Sequence, residues 1–249
     1  MLKPSYSIAL VNYLNAKPFL YGLHHGGVKP DNFSINLLNP ALCAQSFSKG
    51  DADIALVPAG ALHILQDYKI ITNYGIAADD EVRTVCLFSN IPIEQCNEVL
   101  LDDHSMTSVL LAKLLLNEVL LCSPKFSSAN IGKSHISDQQ AVLMIGDKVF
   151  DFESTFTFKY DLASIWKKWI GLPFVFAVWI AKKDLPDHIE LQLENLFEYG
   201  INHLDEVIAE NHSSSEVLKE YYSKYIRYKL DDSYKLGLKK YLQLTANLK

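Results

Sequence analysis

The stretch GDADIALVP, residues 50 to 58, carries the pattern that decides the fold class. Gly50 suits the position just after a helix, Ile54 to Val57 form an apolar run of strand length, and Pro58 suits the first turn of a following helix. The same order occurs upstream, where the apolar run Ile8 to Val11 precedes a loop and another helical segment. Alternating strands and helices of this kind predict an α/β protein with a largely parallel sheet.

A second unit of the same kind follows the apolar strand Val85 to Phe88. It contains a strand at Val99 to Leu101, a long leucine-rich helix and a buried strand at Ala141 to Ile145. A further apolar strand is predicted at Phe174 to Ile180, and the chain beyond Pro186 is predicted to be helical to its end. We therefore expect two lobes that are joined by strand-like crossings rather than by a flexible linker.

Composition excludes several classes of protein. The 249 residues are 49 % hydrophobic and carry a formal charge of −6, which is typical of a soluble globular chain and offers no basic stripe for nucleic acid or anionic lipid. The four cysteines show no CxxC spacing and are predicted to be reduced, as in the cytoplasm. The N-terminus has no apolar stretch long enough for a signal peptide, and no segment reaches the roughly 20 apolar residues of a membrane span. We expect a cytoplasmic protein that binds a small molecule.

Candidate ligand residues follow the strands, because loops at the carboxyl ends of parallel strands face the ligand in α/β folds. Asn15 lies after the first strand, where it either caps the next helix or contacts a ligand. Ser105, Thr107 and Ser108 open the leucine-rich helix, where hydroxyls and free N–H groups either cap the helix or bind an anion. Asp147 follows the strand that ends at Ile145 and either shapes a turn or faces the ligand.

Other motifs are absent or weak. The eight histidines show no metal-ligand spacing, and the chain lacks the glycine-rich dinucleotide and P-loop motifs and the nucleophile elbow. We predict no metal and no cofactor. Trp166 and Trp169 are predicted to pack in the core, and Arg83 either clamps a carboxylate or faces solvent. The tyrosine-rich tail, Tyr221 to Tyr228, is predicted to form an amphipathic helical surface.

Seven segments in one order carry a resemblance to a known family. The chain resembles the chorismate dehydratases of the futalosine route to menaquinone over nearly all of residues 5 to 185, whereas the helical tail carries little of the signature. The matching segments are NYLNAKP (12–18), GDADIALVP (50–58), VRTVCLFSN (82–90), DDHSMTS (102–108), MIGDKV (144–149), YDLASIW (160–166) and GLPFVFAVW (171–179).

The resemblance implies a two-lobed α/β fold like that of type II periplasmic binding proteins, with the active site in the cleft between the lobes. It suggests one lobe from residues 1–88 plus 177–249 and an inserted lobe from 89–176. The implied reaction is the loss of water from chorismate, without a cofactor, to give 3-[(1-carboxyvinyl)oxy]benzoate. A monomer and a homodimer are both compatible with the sequence.

The resemblance also assigns expected roles in the site. Chorismate is a dianion, so the hydroxyls of Ser105, Thr107 and Ser108 are expected to form a carboxylate cradle. The favoured base is the enolpyruvyl carboxylate of the substrate itself, held in place by the amide of Asn15, and the rival base is Asp147. Donors to the ring carboxylate or hydroxyl are expected from Thr84 and Ser89, and Tyr13 and Phe174 either form walls of the pocket or serve structural packing.

Three alternative functions remain at this point. One is a binding protein of the same fold without catalysis. A second is the related two-lobed synthase of 1,4-dihydroxy-6-naphthoate, against which the NYLNAKP segment argues. A third is a ligand-sensing module, which would need a separate DNA-binding protein because no helix-turn-helix precedes the first strand.

Overall fold

A computed structural model describes residues 6–27, 33–102, 106–128, 136–211 and 215–248, and these form two mixed sheets flanked by helices. The strands are β1 Tyr6–Val11, β2 Phe33–Leu38, β3 Ile54–Pro58, β4 Tyr68–Ala78, β5 Val85–Ser89, β6 Glu98–Leu101, β7 Lys125–Ser128, β8 Gln140–Ile145, β9 Phe158–Asp161, β10 Phe174–Lys182 and β11 Arg227–Lys229. The helices are α1 Lys17–His25, α2 Pro40–Lys49, α3 Met106–Glu118, α4 Val149–Phe152, α5 Leu162–Ile170, α6 Asp187–Asn202, α7 Leu204–Glu210, α8 Ser215–Glu220 and α9 Asp232–Thr245. Short 3₁₀ turns occur at Leu14–Ala16 and Ala59–His63, and a π-helical turn spans Tyr221–Tyr225.

The first sheet has the strand order β11-β4-β10-β3-β1-β2, and the second has the order β7-β6-β8-β5-β9. Strand β1 pairs in parallel with β2 and β3, whereas β10 runs antiparallel to both β3 and β4. In the second sheet β6 is parallel to β7 and β8, and β5 is antiparallel to β8 and β9. The predicted α/β class with two lobes is confirmed, but the prediction of a largely parallel sheet is wrong because strands that cross between the sheets return in the opposite direction.

Local sequence signals explain several element ends. Helix α2 begins after Asn39, whose side chain accepts a hydrogen bond from Leu42 N at 2.8 Å, and ends at Gly50 with φ +81°. Helix α5 begins after Asp161, whose carboxylate accepts from the N–H groups of Ala163 and Ser164. The predicted strand and helix boundaries near these caps therefore agree with the structure to within a few residues.

Four strands were not predicted, namely β4, β7, β9 and β11, and β4 and β11 show the reason most clearly. Strand β4 has a mixed polar and apolar sequence with a left-handed residue, Thr72 at φ +61°, so it lacks a clean alternating pattern. Strand β11 interrupts the tail and pairs with β4, which corrects the prediction that the chain is helical from Pro186 to its end. Tertiary pairing selects the extended conformation in both places.

The two crossings between the sheets lie at residues 79–84 and 171–173. The boundaries expected at 88/89 and 176/177 fall inside β5 and β10. All of β5 is hydrogen-bonded within the second sheet, and all of β10 is hydrogen-bonded within the first sheet. Two separated chain segments contribute strands to the first sheet, namely β1 to β4 and then β10 and β11.

The core consists of the facing sheet and helix surfaces. Trp166 is fully buried and packs against Phe174 at a ring centroid distance of 5.3 Å and Tyr241 at 6.3 Å, as predicted for a core tryptophan. All four cysteines are free, and Cys43, Cys86 and Cys96 are buried. Among the helices that the structure describes, none is both long and apolar enough to cross a membrane.

Candidate active site

A cavity lies where the two sheets meet. Four polar side chains line it, namely Tyr13, Asn15, Thr84 and Ser108, together with the backbone of Gly146. Its walls are otherwise apolar and include Val11, Pro58, Val82, Ile145 and Phe176. The lining draws on the carboxyl ends of β1, β3 and β8, as the strand-end rule predicts, and on the first crossing between the sheets, which contributes Val82 and Thr84.

The loop after β1 is anchored on both sides of Leu14. The N–H of Leu14 donates to both carboxylate oxygens of Asp147, each at 3.2 Å, and the carbonyl of Leu14 accepts a hydrogen bond from the Tyr222 hydroxyl at 2.8 Å. Tyr13 and Asn15 flank this anchored residue and both face the cavity. Anchoring the peptide groups of Leu14 therefore orients two lining side chains at once.

The Tyr13 ring connects the two lobes, because Tyr13 follows β1 of the first sheet and its ring contacts Gly146, which follows β8 of the second sheet. A Cβ atom built on Gly146, which has φ +78°, would lie only 3.5 Å from the ring, so the ring packs on the glycine. Burial, followed by the charges of Asp102 and Asp147, raises the pKa of Tyr13 to about 12. The phenol is therefore a neutral hydrogen-bond donor at any physiological pH.

Asp147 lies at the seam between the lobes rather than in the cavity lining. Burial raises the pKa of Asp147 to about 6, and the hydrogen bond from Leu14 N and the charge of Lys17 oppose part of this rise. The carboxylate is still mainly ionised at neutral pH and acts as an acceptor for the Leu14 amide. Asp147 therefore lies beside the cavity and contacts the loop after β1 through the Leu14 N–H.

Asn15 has a feature that points to a ligand. Its amide oxygen is buried and has no hydrogen-bond partner among the described residues. Leaving a buried polar atom unpaired costs roughly 1 to 3 kcal/mol, so such atoms are concentrated where a ligand supplies the missing partner. The structure thus brings Asn15 into the cavity with its acceptor oxygen free for a donor on the bound molecule.

Thr84 is buried at the wall of the cavity. The sequence analysis did not identify its hydrogen-bond partner. The Thr84 Oγ1 atom lies 2.9 Å from the hydroxyl of Tyr221, which is completely buried. The tail tyrosines are therefore not an exposed helical surface as predicted, because Tyr221, Tyr222, Tyr225 and Tyr228 are all buried. Their density, four tyrosines within eight residues, was the signal available in the sequence.

Arg83 contacts residues of the same C-terminal tail. Its guanidinium lies over the rings of Phe150 and Tyr225, with centroid distances of 5.4 Å and 5.7 Å, and its Nη1 lies 3.4 Å from Glu220 Oε2. The side chain is absent from the cavity lining. Arg83 therefore joins the crossing between the sheets to the tail.

The serine and threonine residues at the start of α3 divide into different roles. Ser108 is buried and lines the cavity. Thr107 uses its hydroxyl within the protein, since Oγ1 accepts from Gly60 N at 3.0 Å and donates to the carbonyl of Phe176 at 3.1 Å. Ser105 lies outside the described residues. The structure therefore brings Ser108 to the site and commits Thr107 to the contact between α3 and the first sheet.

Two predicted binding residues lie elsewhere. Ser89 is at the far end of β5 and donates to the carbonyl of Ile91 at 2.7 Å. Phe174 is 1 % exposed and packs in the core against Trp166, and the ring that lines the cavity belongs to Phe176, two residues further along the same strand. Residues two apart in a strand point to the same face, so side-chain alternation did not distinguish these positions. Phe176 lies further along β10, next to Ala177, which pairs with the lining residue Pro58.

The cavity is polar without being charged. None of its lining residues in the described ranges is Lys, Arg, Asp or Glu, and Lys148 close by is paired with the buried Asp102. Within the same ranges no group of three or more His, Cys, Asp or Glu is arranged to hold a metal ion. The donors that a bound anion would meet are hydroxyls, an amide and backbone N–H groups.

Comparisons with known proteins agree with this architecture. A family model described as menaquinone biosynthesis matches residues 6–247. The chain is 26 % identical over 261 residues to the chorismate dehydratase of Thermus thermophilus, covering 96 % of this chain and 94 % of that protein.

Solved structures with low identity show the same fold. A protein of Archaeoglobus fulgidus matches with a TM-score of 0.78 at 15 % identity, over 96 % of each chain. The Candida albicans CA3427 gene product, described as having the generic periplasmic binding protein fold, matches with a TM-score of 0.69 at 14 % identity, over 98 % of this chain and 91 % of that chain. The fold is therefore that of the periplasmic binding proteins, with two α/β lobes.

Proposed function

Since this chain belongs to the menaquinone biosynthesis family, as its sequence resemblance predicts, we propose that it is a hydro-lyase that removes water from chorismate. The observation that carries the proposal is the match to the Thermus thermophilus chorismate dehydratase, which extends over almost the whole of both chains. The unpaired amide oxygen of Asn15 in the cavity supports it, because chorismate carries a hydroxyl that can donate there.

The proposed reaction balances without an added reagent. A base removes the ring proton beside the ether oxygen, and the electron pair of that C–H bond forms the last double bond of the aromatic ring. The neighbouring hydroxyl leaves with a proton as water, and the product is 3-[(1-carboxyvinyl)oxy]benzoate. Aromatisation supplies the driving force, so the enzyme needs chiefly to orient the substrate and assist the leaving group.

The enolpyruvyl carboxylate of the substrate is the base that we favour. It lies on the ether oxygen next to the reacting carbon, so a suitable conformation brings it to the proton without a protein group. Asp147, the rival, is absent from the cavity lining and its two oxygens accept from Leu14 N. We assign Asp147 to holding the loop after β1, and Asn15 to holding the substrate in the reactive conformation.

The two carboxylates of chorismate require donors in a cavity without lysine or arginine. Ser108, the N–H groups at the start of α3 and Thr84 supply them in this proposal, with Tyr13 as a neutral phenol at the wall. Each charge-assisted hydrogen bond contributes on the order of 1.5 to 3 kcal/mol. Three or four such bonds are sufficient to hold a dianion against the formal charge of −6 on the whole protein.

The test is to mix the purified protein with chorismate in metal-free buffer and to follow products by chromatography and mass spectrometry. We expect the product of water loss from the wild type and none above background from Asn15→Ala. Asp147→Asn retains an acceptor for Leu14 N, so we expect it to keep turnover within about fivefold. A fall of about 10² or more in that variant would instead identify Asp147 as the base.

The same experiment separates the alternatives. Binding of chorismate without turnover would indicate a carrier or sensor of the same fold. Activity on the cyclic futalosine derivative would indicate the related naphthoate synthase. Absence of both binding and turnover would overturn the proposal.

A further inference from the structure

Two consecutive tyrosines from the tail reach the candidate site. Tyr221 and Tyr222 begin the π-helical turn Tyr221–Tyr225, and their side chains are 0 % and 3 % exposed. Single π-helical turns are rare in proteins and occur frequently at functional sites. The Tyr221 hydroxyl bonds to Thr84 and the Tyr222 hydroxyl bonds to Leu14. Both partners lie near the cavity and are more than 130 positions away in sequence.

Tyr222 acts on the main chain next to Asn15. Its hydroxyl donates to the Leu14 carbonyl at 2.8 Å, and this carbonyl belongs to the peptide group that contains the Asn15 nitrogen. The preceding peptide group is held by Asp147 through Leu14 N. With both peptide groups anchored, the backbone of Asn15 has little freedom to shift relative to the cavity.

Tyr221 contacts the side chains of Thr84 and Asn15. Its phenol oxygen lies 2.9 Å from Thr84 Oγ1, and the nearby Asn15 side chain lowers the pKa of the phenol, as an NH₂ donor does. Only the NH₂ end of an amide can donate, so this contact turns the Asn15 oxygen towards the cavity, where that oxygen is buried and unpaired. Burial keeps the pKa of Tyr221 above its usual value, so the phenol retains a proton that it can donate to Thr84.

We propose that Tyr221 and Tyr222 are positioning residues for Asn15, with Tyr222 setting its backbone and Tyr221 setting which end of its amide faces the substrate. This inference depends on the proposed dehydratase function. Without the Tyr221 hydroxyl the amide can rotate and present its NH₂ group, which is the wrong partner for a substrate hydroxyl that must donate. The defect should fall on the reaction step more than on binding, since the carboxylate donors are unchanged.

The chain contains a matched control. Tyr228 lies in the same tail, and its hydroxyl is buried without a partner among the described residues. Tyr228 packs edge-on against Phe19 at 5.3 Å, a contact that phenylalanine preserves. Tyr228→Phe therefore removes a buried hydroxyl of the same kind without touching Asn15, Thr84 or Leu14.

The experiment compares kcat, KM and Tm for wild type, Tyr221→Phe, Tyr222→Phe and Tyr228→Phe with chorismate. We expect kcat to fall about tenfold or more in the first two variants, which is the effect of losing one hydrogen bond in the transition state, with KM changed less than about threefold. The control should keep the kcat and KM of the wild type, and its Tm should not fall, because the hydroxyl that it loses has no hydrogen-bond partner among the described residues.

The outcomes distinguish the positioning role from the function. A wild type without turnover would overturn the proposed dehydratase function. Turnover in the wild type with kcat preserved in Tyr221→Phe and Tyr222→Phe would overturn the positioning role alone. Losses of kcat that follow losses of Tm equally in all three phenylalanine variants would indicate packing, and would also overturn it.

Discussion

At the scale of single residues, the environment of Asp147 has the clearest physical consequence. Its side chain is half-buried at the seam, and within the described ranges its two oxygens share one N–H donor, that of Leu14. Burial penalises the ionised form more than this hydrogen bond and Lys17 favour it, so the pKa rises to about 6. Keeping this carboxylate ionised at neutral pH therefore costs stability.

The cost predicts a pH-dependent effect of Asp147→Asn. The pKa is near 3.9 in the unfolded chain and about 6 in the folded one, so the free energy of unfolding falls as pH rises from about 4 to 6. The asparagine variant is neutral throughout and should be more stable than wild type by about 2 kcal/mol at pH 7.5. The difference should become small near pH 4 and vanish below about pH 3, where the carboxyl is protonated in both states.

Urea unfolding at the two pH values measures this difference. Asp151→Asn is the control, because Asp151 is an exposed carboxyl on the neighbouring helix α4. It should show no stability change at either pH. A stability gain for Asp147→Asn that is the same at pH 4 and pH 7.5 would show that the effect does not come from the charge.

At the scale of elements, one hydroxyl attaches α3 to the first sheet. Thr107 Oγ1 links Gly60 N to the Phe176 carbonyl, and the Thr107 carbonyl accepts from the buried Tyr241 hydroxyl at 3.1 Å. A Cβ on Gly60 would lie 3.0 Å from Thr107 N, so the two backbones are in close contact. The start of α3 is therefore held against the 3₁₀ turn and β10, which places Ser108 in the cavity.

Removing the Thr107 hydroxyl should destabilise the fold without removing a substrate contact. Thr107→Val keeps the shape and leaves a buried N–H and C=O unpaired, so we expect a loss of about 2 to 3 kcal/mol in the free energy of unfolding. Thr107→Ser keeps the hydroxyl and should lose less than about 1 kcal/mol. Urea unfolding checks both, and KM for chorismate should change little in the folded protein.

A large rise in KM for Thr107→Val, with stability equal to that of Thr107→Ser, would reverse this assignment. Thr107 would then belong to the carboxylate cradle, as the sequence alone suggested.

At the scale of the whole molecule, the contacts across the cleft describe a closed arrangement. The Tyr13 ring packs on Gly146, and Leu14 N bonds to Asp147, so the loop after β1 touches the second lobe on two sides. Both contacts lie next to the cavity and both would break if the lobes separated. Chorismate needs such an opening to enter, because Tyr13 and Gly146 also line the cavity.

We therefore expect the lobes to open without ligand and to close on it. Small-angle scattering of Asn15→Ala, which should bind chorismate without consuming it, should show a smaller radius of gyration with substrate than without. The closed form should approach about 18 Å, the value general for a compact chain of this length. An unchanged radius at saturating chorismate would contradict closure, and benzoate serves as a control for non-specific anion effects.

The sequence alone was sufficient for the α/β class, the two lobes and the family resemblance. Loop and helix-start positions made Asn15 and Ser108 candidates, whereas Tyr13 and Thr84 became candidates together with the resemblance. These features depend on local patterns, since apolar runs, caps and loop positions are properties of neighbouring residues. The tertiary structure decided which of two nearby residues faces the cavity, as with Phe176 rather than Phe174, and Ser108 rather than Thr107. It also decided that β4 and β11 are strands and that Tyr221 and Tyr222 reach Asn15 and Leu14. Such contacts join residues far apart in the chain, and only the packing of the two lobes and the tail brings them within hydrogen-bond distance.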